Sequence, residues 1–173
     1  EEIILTLQKP DKIIVDEREN VEYFYKYFKH KKYKSKFLKV VKNLMRAHLM
    51  SHNVIKKINP DLQVGIAKNN IYFENFPLIG YFWNFYFLNK IKNNSDFIGL
   101  NYYFHRRFPK NKNKSVSDMG WEIYPEGIYH VLMDLKKYKK PIYITENGIA
   151  DAKDAKREKF IKDHLRRVWQ AIH

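Results

Sequence analysis

The chain contains no cysteine, so neither a disulfide frame nor a thiolate metal site is open to it, and its redox compartment cannot be read. No apolar run approaches the ~20 residues of a membrane span, and no charged-then-apolar leader opens the sequence. A Gly-rich phosphate loop, a G-x-S-x-G elbow and internal repeats are all missing, which argues against P-loop nucleotide chemistry, a serine hydrolase and a solenoid. At 173 residues the chain suits one domain with its own core, yet it is short of the ~250 residues that a complete (β/α)₈ barrel typically needs. The expectation is a soluble, cytoplasmic protein with no tightly bound cofactor and no metal.

Acidic residues are scarce: 19 Asp and Glu face 33 Lys and Arg, for a net charge of +14. Lys26, Lys29, Lys31, Lys32, Lys34, Lys36, Lys39 and Lys42 interleave with Tyr23, Phe24, Tyr25, Tyr27, Phe28, Tyr33 and Phe37. Single-strand nucleic-acid binders use such a mixture of cations and rings. Lysines are nevertheless spread over the rest of the chain, and arginine, the preferred residue for bidentate base contacts, is uncommon. Solvated helix faces and loops are the simpler reading, so no specific nucleic-acid partner and no membrane is expected.

Helical and extended patterns alternate. Apolar residues Leu38, Val41, Leu44, Met45, Leu49, Val54 and Ile58 trace a helical stripe that Asn59-Pro60 stops, and a strand is expected over 63–68. A second helix is expected over 76–91, with Pro77 in its first turn, before a strand over 96–102. A polar, basic loop over 104–119 then leads through Trp121 and Pro125 into a helix ending near Lys140. A strand over 141–145 follows, and Asp151 to Asp154 offers an N-cap for a last helix over 155–173. This alternation predicts an α/β protein with a parallel sheet. His48 and His52 stand four apart on the first helix, but no third ligand accompanies them, so they read as structural.

The strand at 141–145 delivers an acid to a turn. Ile142, Tyr143 and Ile144 predict a strand covered on both faces, and Asn147-Gly148 is expected to supply positive φ for a sharp exit, leaving Glu146 at the carboxyl end, where parallel α/β folds carry their chemistry. Two other apolar runs end in hydrogen-bonding side chains: 95–103 in Asn101, Tyr102 and Tyr103, and 62–70 in Asn69 and Asn70. With Ile144-Thr145-Glu146-Asn147-Gly148, Asp96-Phe97-Ile98-Gly99-Leu100-Asn101-Tyr102-Tyr103 and Gly120-Trp121-Glu122-Ile123-Tyr124-Pro125-Glu126-Gly127-Ile128 in this order, the chain resembles family 1 of the glycoside hydrolases, the β-glucosidase type, from about residue 37 to its end.

The resemblance implies a partial TIM-type (β/α)₈ barrel. It would contain strands five to seven with their helices, residues 1–7 as the possible end of strand four, and an atypical segment over 8–36, all in a single domain over 1–173. It implies a fragment of a retaining β-glycosidase, inactive when isolated, with Glu146 as nucleophile. Tyr103 would donate a hydrogen bond to Glu146, Asn101 would face the sugar's 2-hydroxyl region or the acid/base, Trp121 would stack on the leaving-group side, and Asn69 and Asn70 would line that side. The acid/base lies in an Asn-Glu-Pro motif in the family, which is absent here; Glu1 is the candidate, although Glu2 stands where Pro belongs. An opening Glu in place of Met agrees with a piece of a longer chain. A non-catalytic half-barrel that self-associates through open sheet edges is the alternative.

Overall fold

The computed structural model describes residues 31–107 and 115–173. The chain divides into two compact units, Glu1–Asn43 and Leu44–His173. Of the first, only the opening of helix α1 (Lys31–Ile58) is described. In the second unit follow β1 (Gly65–Asn69), β2 (Tyr72–Glu74), α2 (Pro77–Tyr81), a π-helical turn (Phe82–Tyr86), α3 (Phe87–Ile91), β3 (Phe97–Tyr102), β4 (His105–Arg107), α4 (Pro125–Leu135), β5 (Ile142–Asn147) and α5 (Arg157–Ile172). The strands expected over 63–68, 96–102 and 141–145 are present, shifted by one or two residues, while the strand end expected over 1–7 lies outside the described residues. The helix expected over 76–91 is broken in register, because the π turn inserts between its two α-helical halves. The polar stretch after Tyr103 holds an unforeseen strand, β4.

Strands β1, β3 and β5 form a parallel sheet in that order, and β2 pairs with β4 in a second, two-stranded parallel sheet. Neighbouring parallel strands require crossovers, and helices at 77–91 and 125–135 supply them. Alternate residues of the central strand, Ile98, Leu100 and Tyr102, join a buried cluster with Leu88, Ile91, Ile128, Val131, Leu135 and Ala171. Each such side chain contributes roughly 1.5–3 kcal/mol when fully buried, so the helical side of the sheet holds the unit together. The other side is open. There Tyr143 is 55% exposed and touches Phe97 edge-on at 5.0 Å. The expectation that the 142–144 strand is covered on both faces is therefore corrected: β5 is an edge strand of this sheet, and no described residue packs over its second face.

Hydrogen bonds fix the opposite, amino-terminal ends. The His48 ring lies 2.7 Å from the Asn94 carbonyl and 3.0 Å from Ser95 Oγ, which makes it an anchor between α1 and the chain entering β3. Asp96 accepts the Val64 amide at 2.7 Å and pairs with Lys56 at 2.8 Å; these bonds hold its carboxyl below the usual range. Among the described residues no group of three or more His, Asp or Glu is arranged to hold a metal ion, and no helix is long and apolar enough to cross a membrane.

Tyr102 passes through the core and donates its hydroxyl to the Tyr124 carbonyl at 2.9 Å. That phenol crosses α4 where only glycine fits: a Cβ on Gly127 would lie 1.9 Å from its oxygen. Alanine in place of helical glycine ordinarily stabilises by about 0.5–1 kcal/mol, but the overlap reverses the sign. Gly127→Ala is expected to destabilise the chain by about 1–3 kcal/mol in urea unfolding, with partial recovery in the Gly127→Ala, Tyr102→Phe double variant. An unchanged midpoint for the single variant would contradict the packing described.

Candidate active site

The carboxyl ends of β1, β3 and β5 converge on one patch. Asn69 stands opposite Asn101 in the β1–β3 register. Between β3 and β5 the register slips after Leu100: Leu100 faces Ile144, but Asn101 faces Glu146. Thr145 is the extra residue of a β-bulge. A bulge re-aims the side chains beside it, and here it brings Thr145 to Asn101 and Glu146 to Tyr103. Thr145 Oγ1 donates to Asn101 Oδ1 at 2.5 Å, and the Tyr103 hydroxyl donates to Glu146 Oε2 in a short contact. Glu146 itself is exposed on the open side of the sheet.

The turn after Glu146 is not built as expected. Neither Asn147 nor Gly148 has positive φ, and a Cβ on Gly148 would meet nothing within 4 Å. Asn147 remains part of β5 and donates its side-chain amide to the Tyr102 carbonyl at 2.7 Å, which keeps the strand extended. The chain turns later, around Arg157, whose guanidinium donates to the carbonyls of Ile149 and Asp151 at 3.1 Å each. Asp151 accepts the amides of Lys156 and Arg157 at 2.6 and 3.2 Å, so it serves the amino end of α5 from a distance. Those bonds hold its carboxyl below the usual range.

Trp121 lies on the same side as Tyr103: the two rings are 5.9 Å apart, and Phe104 is 4.8 Å from the indole. Asn70 is almost fully buried; its backbone amide donates to the Asn101 carbonyl at 3.0 Å. The structure thus brings Asn69, Asn101, Tyr103, Trp121 and Glu146 to one end of the sheet, with Asn70 buried behind the first strand. Glu1, the acid/base candidate, lies outside the described residues, as do residues 2–30.

Two supporting residues escaped the sequence reading. Asn84, buried in the π turn, accepts from the Ile71 amide at 3.0 Å and donates to the Ile71 carbonyl at 2.7 Å, gripping the peptide just beyond Asn69 and Asn70. A polar residue amid the 82–87 aromatic row was its only sequence signal. His105, 1% exposed, stacks on Tyr124 at 3.8 Å. Its Nε2 lies 3.4 Å from Glu122 and 3.7 Å from Glu74, which is itself paired with Arg107 at 2.6 Å. Burial and the Arg107 charge lower the imidazole to about 4, and they prevail over the opposing charges of Glu74 and Glu126, so His105 is neutral near pH 7.

Comparisons with known proteins accord with this geometry. Residues 87–173 match Glycosyl hydrolase family 1. The chain belongs to that family. A β-galactosidase of Pyrococcus woesei is 48% identical over 60 residues, covering 35% of this chain and 12% of the relative. A 1,4-beta-D-glucan glucohydrolase of Thermotoga neapolitana is 31% identical over 193 aligned residues, 76% of this chain and 45% of the relative. Among solved structures, Fpglu1 of Fervidobacterium pennivoraus superposes with a TM-score of 0.72 at 28% identity, over 83% of this chain and 38% of that one. A β-glycosidase of Pyrococcus horikoshii gives 0.68 at 29% identity, over 78% and 40%. The chain thus spans less than half the length of these relatives, and its α/β fold is a sector of the family's barrel.

His105 makes the site's surroundings pH-sensitive in a definite direction. An unfolded histidine takes its proton near pH 6.5, whereas folded His105 resists until about 4, so the unfolded state binds more protons in between. Stability is complete above pH 6.5 and is lost as pH falls from there towards 4. Buried His164, also lowered, adds to the slope. Urea midpoints measured from pH 7 to 4 should fall less steeply for His105→Gln than for the original chain; parallel curves would mean that His105 titrates freely.

Proposed function

We propose that this chain carries the nucleophile portion of a retaining β-glycosidase site, with Glu146 as the attacking group. The observation that supports this most directly is the hydrogen bond from the Tyr103 phenol to Glu146 at the ends of adjacent strands in a family 1 fold. In this reading a Glu146 carboxylate oxygen attacks the anomeric carbon as the bond to the leaving oxygen breaks. A second carboxyl group, about 5–5.5 Å away in retaining enzymes, protonates that oxygen. The same group then takes a proton from water, whose oxygen displaces Glu146 and frees the sugar. Tyr103 orients Glu146 and stabilises its charge, Asn101 addresses a sugar hydroxyl, and Trp121 offers its face on the leaving-group side, with Asn69 and Asn70 bordering it.

No second carboxyl group is assigned among the described residues. The isolated 173-residue chain is accordingly proposed to be without turnover: attack on a glycoside with no positioned acid forfeits most of the transition-state binding. The sheet face left open and the edges of β1 and β5 left unpaired by the described residues favour self-association instead. Light scattering at tens of micromolar should detect oligomers, and a stable monomer would count against this.

The nucleophile assignment is tested in an active protein that contains this sequence. There Glu146→Gln should lower kcat on an aryl β-glucoside by on the order of 10⁴-fold or more. Glu146→Gly with added azide should regain part of the rate as azide takes the nucleophile's place and forms an α-glycosyl azide. Near-normal turnover by Glu146→Gln would remove Glu146 from the chemistry, and turnover by the isolated chain that Glu146→Gln abolishes would show that the chain suffices alone.

A further inference from the structure

The segment 115–124 carries Trp121 to the site; one flank is hydrogen-bonded to the chain after β5, and the other is buried against β4. It folds back on itself through a Val116–Glu122 bridge, with the Ser117 amide bonded to the Trp121 carbonyl at 2.8 Å and the Trp121 amide bonded to Ser117 Oγ at 3.2 Å. Gly120, at φ 71°, makes the tight turn between them. On one flank the Asp118 amide donates to the Ala150 carbonyl at 2.8 Å, and Asp118 Oδ2 accepts the Ala152 amide at 2.7 Å. This links the segment to the chain that has just left Glu146. On the other flank Glu122, 2% exposed, sets its carboxylate 3.4 Å from His105, two residues beyond Tyr103.

We propose that Glu122 and Asp118 are positioning residues: together they clamp the 115–124 segment to β4 and to the chain after β5, and so seat the Trp121 indole against the Tyr103 ring that addresses Glu146. Successive side chains on extended backbone point to opposite sides, so drawing Glu122 inward to His105 turns Trp121 the other way. A buried carboxylate is a costly anchor beside a neutral imidazole, and an apolar side chain would cover the same surface more cheaply. What the carboxylate adds is placement, since its oxygen is seated against the His105 ring at 3.4 Å. Asp118 contributes from an exposed position, where its two backbone bonds fix the register of the turn. The proposal rests on the reading of Glu146 and Tyr103 as site residues, but the placement of the indole can be measured without turnover.

The chain has three tryptophans, Trp83, Trp121 and Trp169. Full-length chain labelled with 5-fluorotryptophan should give three ¹⁹F resonances, assignable by replacing each tryptophan with phenylalanine in turn. Glu122→Ala and Asp118→Ala are each expected to shift and broaden the Trp121 resonance while leaving those of Trp83 and Trp169 in place. Tyr103→Phe should shift the Trp121 resonance as well, and Glu122→Gln, which keeps a polar group of the same length, should return it towards its original position. If Glu122→Ala fails to fold, Asp118→Ala and Glu122→Gln carry the test. An unmoved Trp121 resonance in Asp118→Ala, or a Gln variant no closer to the original than Ala, overturns the clamp. Since no outcome depends on catalysis, removing Glu146 from the chemistry would leave this result intact, and the converse also holds.

Discussion

Everything at the candidate site depends on how β3 and β5 are paired. A parallel ladder with unbroken register would have placed Thr145, not Glu146, opposite Asn101, because side chains alternate at a period of two. The single extra residue at Thr145 changes the count and delivers both Thr145 and Glu146 to the neighbours they now hold, Asn101 and Tyr103. The bulge is secured on its far side by the Asn147 amide on the Tyr102 carbonyl. Tyr102 is in turn locked in the core through Tyr124 and the missing side chain of Gly127. The placement of one exposed carboxylate is thus set by fully buried atoms several residues away.

The sheet divides its labour between two faces. Ile98, Leu100 and Tyr102 supply the adhesion on the helical side, while the alternate residues Phe97, Gly99 and Asn101 leave the other side to rings and polar groups. Behind the site lies a compact polar cluster of Glu74, His105, Arg107 and Glu122, where burial outweighs Coulomb attraction and keeps the imidazole uncharged. Such a cluster contributes little net adhesion, but each member limits where the others can sit.

Much of this was legible in the residues themselves. The strands ending in Asn69, Asn101 and Glu146 carry their own signals: a short apolar run, a change to hydrogen-bonding side chains, and helical periodicity on either side. Pro77 and Pro125 open their helices as first-turn prolines should. What could not be read depends on partners distant in sequence. Asn147-Gly148 has the composition of a tight turn, but Asn147 spends its amide on Tyr102, 45 residues earlier, and the backbone stays extended. Strand β4 is hidden because His105, Arg106 and Arg107 look like loop until β2 is placed beside them. Exposure of Tyr143 was likewise invisible, since an apolar strand reads alike whether its second face is covered or bare.

The grip of Asn84 on Ile71 has a consequence for how this piece of chain can vary in length. A π turn amounts to one residue added to an α-helix, and each residue of a helix advances the side chains by about 100°. Deleting any one residue between Pro77 and Asn84 would swing the amide a quarter-turn or more away from the peptide it holds and strand two backbone groups in an apolar interior. The helix following the first strand is therefore counted as strictly as a gear with a fixed number of teeth. Substitutions along its outer face would leave that count intact, whereas an insertion or deletion within it would not.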